Sequence, residues 1–100
     1  MASSLEFVFP ARVGQDEVRF SISEEGAEIS FLGAPGLRIP LPVGEILGVR
    51  VITGLRDEAS LVVYESGRIV YATLTMAFED ALRARTILHE LLGVPDLSRQ

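Results

Sequence analysis

Apolar and polar residues alternate with a period of two along most of the chain, and this pattern predicts β-strands that keep one face in a hydrophobic core. The strand candidates are residues 5–10, 18–23, 27–31, 37–41, 46–53, 60–65 and 68–74, the first of which ends at Pro10 or continues to Val13. Turns rich in Gly, Pro and acidic residues separate them. Pro40 and Pro42 cannot donate to a ladder, so we expect their strand to lie at an edge of the sheet.

The stretch TMAFEDALRARTILHELLGVP, residues 75–95, is the one long segment with helical periodicity. Thr75 is placed to cap its N-terminus, Gly93 suits the left-handed position after its last turn, and Pro95 ends it. One face carries an apolar stripe, which consists of Ala77, Ala81, Ala84, Leu88 and Leu91. We predict that this helix covers the open corner of a strongly bent antiparallel sheet.

Composition narrows the class of protein. The 100 residues, 48% of them hydrophobic, suit a single domain over residues 1–100, with flexible tails expected at 1–4 and 95–100. The chain has no cysteine and one histidine, so we expect no disulfide, no metal site and no cofactor. No apolar run reaches the roughly 18 residues that span a bilayer, and the N-terminus lacks the basic region of a signal peptide. We therefore expect a cytoplasmic protein.

The net charge of −5 at pH 7 creates a field that repels phosphate backbones and anionic headgroups. We therefore expect no nucleic-acid partner, and the same field disfavours membrane binding. All 9 basic residues are arginine, which we interpret as a mark of GC-rich codon usage and hence of a bacterial source.

The order of these segments resembles that of a known superfold. The stretches GLRIPLPVGEILGVRV, LVVYESGRIVYATL and AFEDALRARTILHELL look like bacterial pleckstrin-homology-like (PH-like) domains, in which an apolar Ile-Pro strand precedes an E-I-x-x-V-x-V strand and a helix closes the barrel. The resemblance covers nearly the whole chain. It implies a mainly β fold in which a seven-stranded, strongly bent antiparallel sheet or barrel is capped by one C-terminal α-helix.

A second resemblance is to PilZ domains, the barrels that bind cyclic-di-GMP. In FSISEEGAEI, Ser23 and Gly26 match the Ser and Gly of the PilZ motif, but Ser21 stands where that motif has Asp or Asn. The arginine motif R-x-x-x-R is missing, since Arg12 and Arg19 are seven residues apart. This resemblance implies a degenerate PilZ-type domain that has lost cyclic-di-GMP binding.

The sequence carries no motif of a known catalytic class. It lacks G-x-S-x-G, H-E-x-x-H and the phosphate-binding G-x-x-x-x-G-K, so we expect no enzymatic activity and no catalytic residue. The PH-like resemblance implies an alternative function, because lipid-binding pleckstrin-homology domains hold phosphoinositides through basic residues on their first two strands. Arg12 and Arg19 match two of those positions, while Asp16 and Glu17 between them oppose an anionic lipid.

The function that we favour is a protein-interaction or scaffolding module. In related folds a peptide or a partner strand adds to an open sheet edge beside the C-terminal helix. Phe78, Leu82, Arg85 and His89 share the flank of the helix next to its buried stripe, and we predict that they line such a groove. The alternative is that Phe78 and Leu82 form only the wide edge of the core-facing surface.

Self-association is a variant of this function. The strands at 60–65 and 68–74 are apolar on both alternating faces, and only one face can pack inside the domain. We therefore predict a homodimer or a heteromeric contact on the other face.

Overall fold

The computed structural model of the protein describes residues 5–67 and 69–97. Its strands are β1 (Glu6–Val13), β2 (Asp16–Ser23), β3 (Gly26–Phe31), β4 (Arg38–Pro40), β5 (Ile46–Thr53), β6 (Glu58–Glu65) and β7 (Ile69–Ala77). A short 3-10 helix, Val43–Glu45, precedes β5, and one α-helix, α1 (Phe78–Leu92), follows β7. Within the described residues, no helix is long and apolar enough to cross a membrane.

The seven strands form one antiparallel sheet in the order β4-β3-β2-β1-β7-β6-β5. The two halves of this order join where β1 pairs with β7, at Arg12 and Thr75. The helix α1 contacts β2 in one half and β5, β6 and β7 in the other, so it covers the bend between them. This arrangement confirms the predicted fold class, a mainly β fold with one C-terminal helix. The short strand β4, which ends at Pro40, lies at an edge, as this proline predicts.

The start of the helix differs from the prediction. β7 runs to Ala77 and α1 begins directly at Phe78, so the prediction of Thr75 as the N-cap was wrong. Thr75 instead pairs with Arg12 across the junction of the two halves, where ladder pairing outweighs the local capping preference of threonine. The N–H of Phe78 donates to the carbonyl of Asp57 at 2.7 Å, and this bond takes the place of a side-chain cap.

The apolar stripe of α1 packs on the inner face of the sheet. Ala81, Ala84 and Leu88 are buried, as the stripe predicts. Leu91 is half-buried, and Ala77 lies exposed at the end of β7. The largest fully buried side chains of the core are Phe20, Ile22, Leu61, Leu74, Leu88, Val18, Val49, Val63 and Val94. Each such side chain stabilises the fold by roughly 1.5–3 kcal/mol through burial.

Gly93 ends α1 and turns the chain back toward the sheet. Its φ of 70° lies in the left-handed region, which glycine adopts without a steric cost. The N–H of Gly93 donates to the carbonyl of His89 at 3.0 Å, and the N–H of Val94 donates to that of Leu88 at 3.2 Å. Val94 is 2% exposed, so it anchors the residues that follow to the core.

The residues after Val94 lie along β5. Val49 forms a parallel bridge with Asp96, so the residues at 95–97, expected in a tail, lie against the sheet. The expected N-terminal tail and the rest of the expected C-terminal tail, 98–100, fall outside the described residues. The extent of the domain stays a prediction.

Candidate interaction groove

A groove lies between β5, at one edge of the sheet, and the C-terminal half of α1. Its walls include Gly48 and Val49 of β5 and Arg85 and His89 of α1, and residues 94–97 of the same chain lie in it. We call it the β5–α1 groove, and we call residues 94–97 the groove segment. A depression of about 440 Å³ remains open beside the segment; its lining residues are Arg85, Thr86, His89, Glu90, Pro95 and Asp96.

The groove segment pairs with β5 through the backbone. The N–H of Val49 donates to the carbonyl of Pro95 at 2.9 Å, next to the parallel bridge between Val49 and Asp96. The strand pairs within the sheet are antiparallel. The groove segment runs parallel to β5, so a hairpin turn does not set its direction. Its direction follows from the turn at the end of α1. Proline suits the position because only its carbonyl takes part in the bond.

Gly48 makes the close approach of the segment possible. A Cβ atom at this position would lie 2.6 Å from the Cγ of Leu97 and 2.8 Å from the carbonyl oxygen of Pro95. Atoms in a packed interior do not come so close, so a larger residue at position 48 must push the segment away from β5. The pairing of β5 with β6 shifts register between Ile46 and Gly48, which marks a bulge at the same place.

Two side chains of α1 hold the groove segment from the other side. The Nε of Arg85 lies 3.4 Å from the Oδ2 of Asp96, and these two side chains are only 20% and 17% exposed. The Nδ1 of His89 lies 3.1 Å from the carbonyl oxygen of Val94. Since a carbonyl can only accept, Nδ1 carries the proton in this bond. An ion pair and a hydrogen bond therefore tie α1 to the segment.

The residues predicted to line the groove separate in the structure. Arg85 and His89 contact the groove segment. Leu82 lines a different depression, which it shares with Phe7 of β1, and Phe78 packs half-buried against the core. The structure thus brings Arg85 and His89 together at β5 but not Leu82 or Phe78. A partner-binding role for any of the four stays a prediction.

Sequence reasoning missed the groove residues that lie outside the helix. A signal for Gly48 was present, because a glycine within an apolar strand often marks a bulge or a close backbone approach. Pro95 and Asp96 carried no comparable signal, since a proline shortly after a helix is expected to do no more than end it. Their position on β5 depends on the tertiary fold.

The two arginines predicted as anion ligands have other surroundings. Arg12 donates from Nη2 to the Oε2 of Glu58 at 2.8 Å, and these side chains are 46% and 52% exposed. Arg19 lies on the exposed face of β2, opposite Pro10 of β1. Only residues 14–15 separate β1 from β2, and the predicted acidic pair of the loop begins β2 instead. This turn offers little backbone with which to surround a phosphate group.

Ser23 and Gly26, which match the PilZ motif, serve the hairpin between β2 and β3. The hydroxyl of Ser23 accepts from the N–H of Glu25 at 3.3 Å and donates to the carbonyl of Gly26 at 3.4 Å. Both bonds are local, so the hairpin itself accounts for this match to the PilZ pattern.

The outer face of β5, β6 and β7 is partly apolar. Ile52 and Val70 are 46% and 51% exposed. Val62 is 6% exposed and lies outside the core cluster, because the alternation of β6 directs it to this outer face. The register of the three strands places Ile52 and Val70 on the same face as Val62.

The groove presents three hydrogen-bond donors to the groove segment. They are the backbone N–H of Val49, the guanidinium of Arg85 and the imidazole N–H of His89, and each of them contacts an oxygen of the groove segment. Such groups recognise carbonyl and carboxylate oxygens. In residues 5–67 and 69–97, no group of three or more metal-ligating side chains could hold a metal ion.

Comparison with known proteins supports the fold. Neither the scan against protein-family models nor the search of curated proteins finds a match. Among solved structures, a chain of the Spt16D–Pob3N heterodimer is similar, with a TM-score of 0.64 and 17% sequence identity. The similarity covers 96% of this chain and 55% of that one. At this identity it shows the fold alone, and that fold is PH-like.

Proposed function

We propose that this domain is a non-enzymatic protein-interaction module that binds an extended segment of a partner protein in the β5–α1 groove. The observation that carries the proposal is the groove segment. Residues 94–97 lie along β5 with a backbone hydrogen bond from Val49 and an ion pair to Arg85. The groove thus has the donors and the space that an added strand needs.

The position of β5 supports the same function. It is the last strand of the sheet, and an edge strand directs backbone N–H and C=O groups away from the sheet. A partner strand that pairs with such groups gains affinity from the main chain, while the neighbouring helix selects side chains. The opposite edge is β4, which is only 3 residues long and ends at Pro40, so it offers much less backbone for pairing.

The similar solved structure is a heterodimer. That association supports a protein partner as the ligand class for this chain. The formation of a homodimer through the same groove belongs to the same proposal, because a second copy can supply an extended segment as well as another protein can.

A display experiment tests the proposal. A library of random peptides is selected on the immobilised full chain, and the selected peptides are tested against Arg85→Glu, which removes the cation of the groove. Arg83→Glu is the matched control, since Arg83 lies on the same helix, above the ring of Phe9 and away from the segment. Both variants are first shown to be folded by circular dichroism.

We expect selected peptides to lose most of their affinity for Arg85→Glu and to keep it for Arg83→Glu. Equal binding to both variants and to the wild type would place any interaction elsewhere on the surface. A selection that yields no binding peptide, either on the wild type or on Asp96→Ala, which loosens the groove segment, would count against the module itself.

Self-association through the outer face of β5, β6 and β7 is a second candidate. The exposed fractions of Ile52 and Val70, 46% and 51%, favour it, because large apolar side chains on one sheet face gain by being covered. Sedimentation velocity should show a dimer that Val70→Glu dissociates and Leu55→Glu does not, since Leu55 lies on the turn between β5 and β6. A monomer throughout the accessible concentration range would refute this candidate.

A further inference from the structure

The groove segment has a definite chemical character, and each of its residues meets a different feature of the groove. Val94 is buried in the core, Pro95 accepts a hydrogen bond from β5, Asp96 faces Arg85, and Leu97 lies on Gly48. We infer that the groove is specific for an extended segment of the type aliphatic-Pro-Asp-Leu that runs parallel to β5. We infer also that the chain's own segment occupies the groove until a partner segment of this type displaces it. This inference rests on the proposed function.

The preference for an acidic residue in the bound segment follows from the burial of Arg85. Its side chain is only 20% exposed, and the carboxylate of Asp96 lies 3.4 Å from its Nε. A segment without an acid at this position would leave the half-buried guanidinium without that anion, and a basic segment would place two cations together. The groove therefore selects a carboxylate in register with Val49, the β5 residue that bridges to Asp96.

The preference for proline before the acid follows from the hydrogen bond between β5 and the segment. At this position Val49 donates and the segment accepts, so the missing N–H of Pro95 costs nothing in this bond. The fixed φ of proline also reduces the conformational entropy that an extended segment loses on binding. A proline before the acid therefore favours the bound form.

The preference for an aliphatic residue after the acid follows from the space that Gly48 leaves on β5. Gly48 is buried, and the Cγ and Cδ2 of Leu97 lie 2.6 and 2.9 Å from the point where a Cβ would stand. A branched aliphatic side chain fills the space that this glycine leaves. A charged side chain there would lose its hydration over an apolar floor.

Because the groove is occupied, we expect the chain's own segment to compete with a free peptide for it. The segment in the same chain acts at a high effective concentration, so a free peptide of equal chemistry binds the wild-type protein weakly. A variant in which the chain's own segment is held less firmly should bind that peptide more tightly. Asp96→Ala is such a variant, because it removes the carboxylate from the segment and leaves Arg85 for the acid of the peptide.

The experiment uses full-length protein and a fluorescent peptide with the sequence of residues 92–97, blocked at both ends. Fluorescence anisotropy should show binding to Asp96→Ala about tenfold tighter than to the wild type. A second peptide with Arg in place of the acid should bind Asp96→Ala at least about tenfold more weakly than the first. The double variant Arg85→Glu, Asp96→Ala should prefer the second peptide. Asp96→Asn replaces Asp96→Ala if the latter fails to fold.

Hydrogen exchange at the N–H of Val49 reports whether the variant has released its own segment. That N–H donates to the carbonyl of Pro95 when the segment lies in the groove. Faster exchange at Val49 with no preference between the two peptides would overturn the inference. If peptides from the random library still required Arg85 in that case, the proposed function would stand. If neither the two defined peptides nor any peptide from the random library bound the opened groove, the inference and the proposed function would both be wrong.

Discussion

Replacing Gly48 by alanine tests whether the groove segment is held against β5. The backbone at Gly48 does not have a positive φ, so alanine introduces no backbone strain. Its Cβ would stand 2.6 Å from the Cγ of Leu97 and 2.8 Å from the carbonyl oxygen of Pro95. The side chain of Leu97 can rotate away, but the carbonyl of Pro95 moves only if the segment moves.

The magnitude follows from what the segment loses. The hydrogen bond from Val49 to Pro95, at 2.9 Å, contributes about 1 kcal/mol, and the displaced packing of Leu97 contributes about as much again. Alanine in place of glycine lowers the entropy of the unfolded chain and returns about 0.4 to 1 kcal/mol. The free energy of unfolding should therefore fall by about 1 to 1.6 kcal/mol, which lowers Tm by roughly 4 to 12 °C in a domain of this size.

Urea unfolding measures the change as a shift in the midpoint at constant slope. Gly44→Ala is the matched control, because a Cβ at Gly44 would meet nothing within 4 Å and its φ is not positive. We expect Gly44→Ala to leave stability unchanged or to raise it by up to about 1 kcal/mol, through the same effect on the unfolded chain. If Gly48→Ala were no more destabilising than Gly44→Ala, the close contact between β5 and the groove segment would be refuted.

Three further predictions concern stability, each measured by urea unfolding. Arg85→Glu and Asp96→Arg should each lower the free energy of unfolding by about 1 kcal/mol, and the double exchange should recover at least part of it; strictly additive losses would show that the two side chains do not interact. Leu88→Ala should cost about 3 kcal/mol, since Leu88 is 1% exposed, while Leu55→Ala, at 87% exposed, should cost less than about 0.5 kcal/mol; similar losses would contradict the assigned core. Arg12→Gln should change stability by less than about 0.5 kcal/mol because its ion pair is exposed, and a larger loss would show a structural role that the contacts do not explain.

Much of the fold could be predicted because its signals are local. The alternation of β2, with Val18, Phe20 and Ile22 buried, indicates a strand without reference to any other part of the chain. The same holds for the spacing of Ala84 and Leu88 on the helix. The wrong prediction at the start of α1 came from pairing with other strands, because β6 pairs with β7 as far as Ala77 and β1 pairs with it at Thr75, despite the local capping signal.

The candidate groove could be predicted only in part, for the same physical reason. Arg85 and His89 follow from the periodicity of the helix, which determines the residues on its flank. The segment that they hold depends on the left-handed turn at Gly93 and on the open space at Gly48, and these meet only after the sheet has formed. No local pattern in Pro95 or Leu97 indicates a strand.

The junction between β1 and β7 has a consequence for the order of folding. The other adjacent strands of the sheet are consecutive in the chain, from β1 to β4 in one half and from β5 to β7 in the other. Each half can therefore form as a meander with short loops. Pairing Arg12 with Thr75 instead requires closure of a loop that spans almost two thirds of the chain. Such non-local pairing is slow compared with hairpin formation. We therefore expect the two meanders to form early and their union at this junction, followed by docking of α1, to limit the rate of folding. On a ribosome, β1 would wait for its second neighbour until β7 has been synthesised.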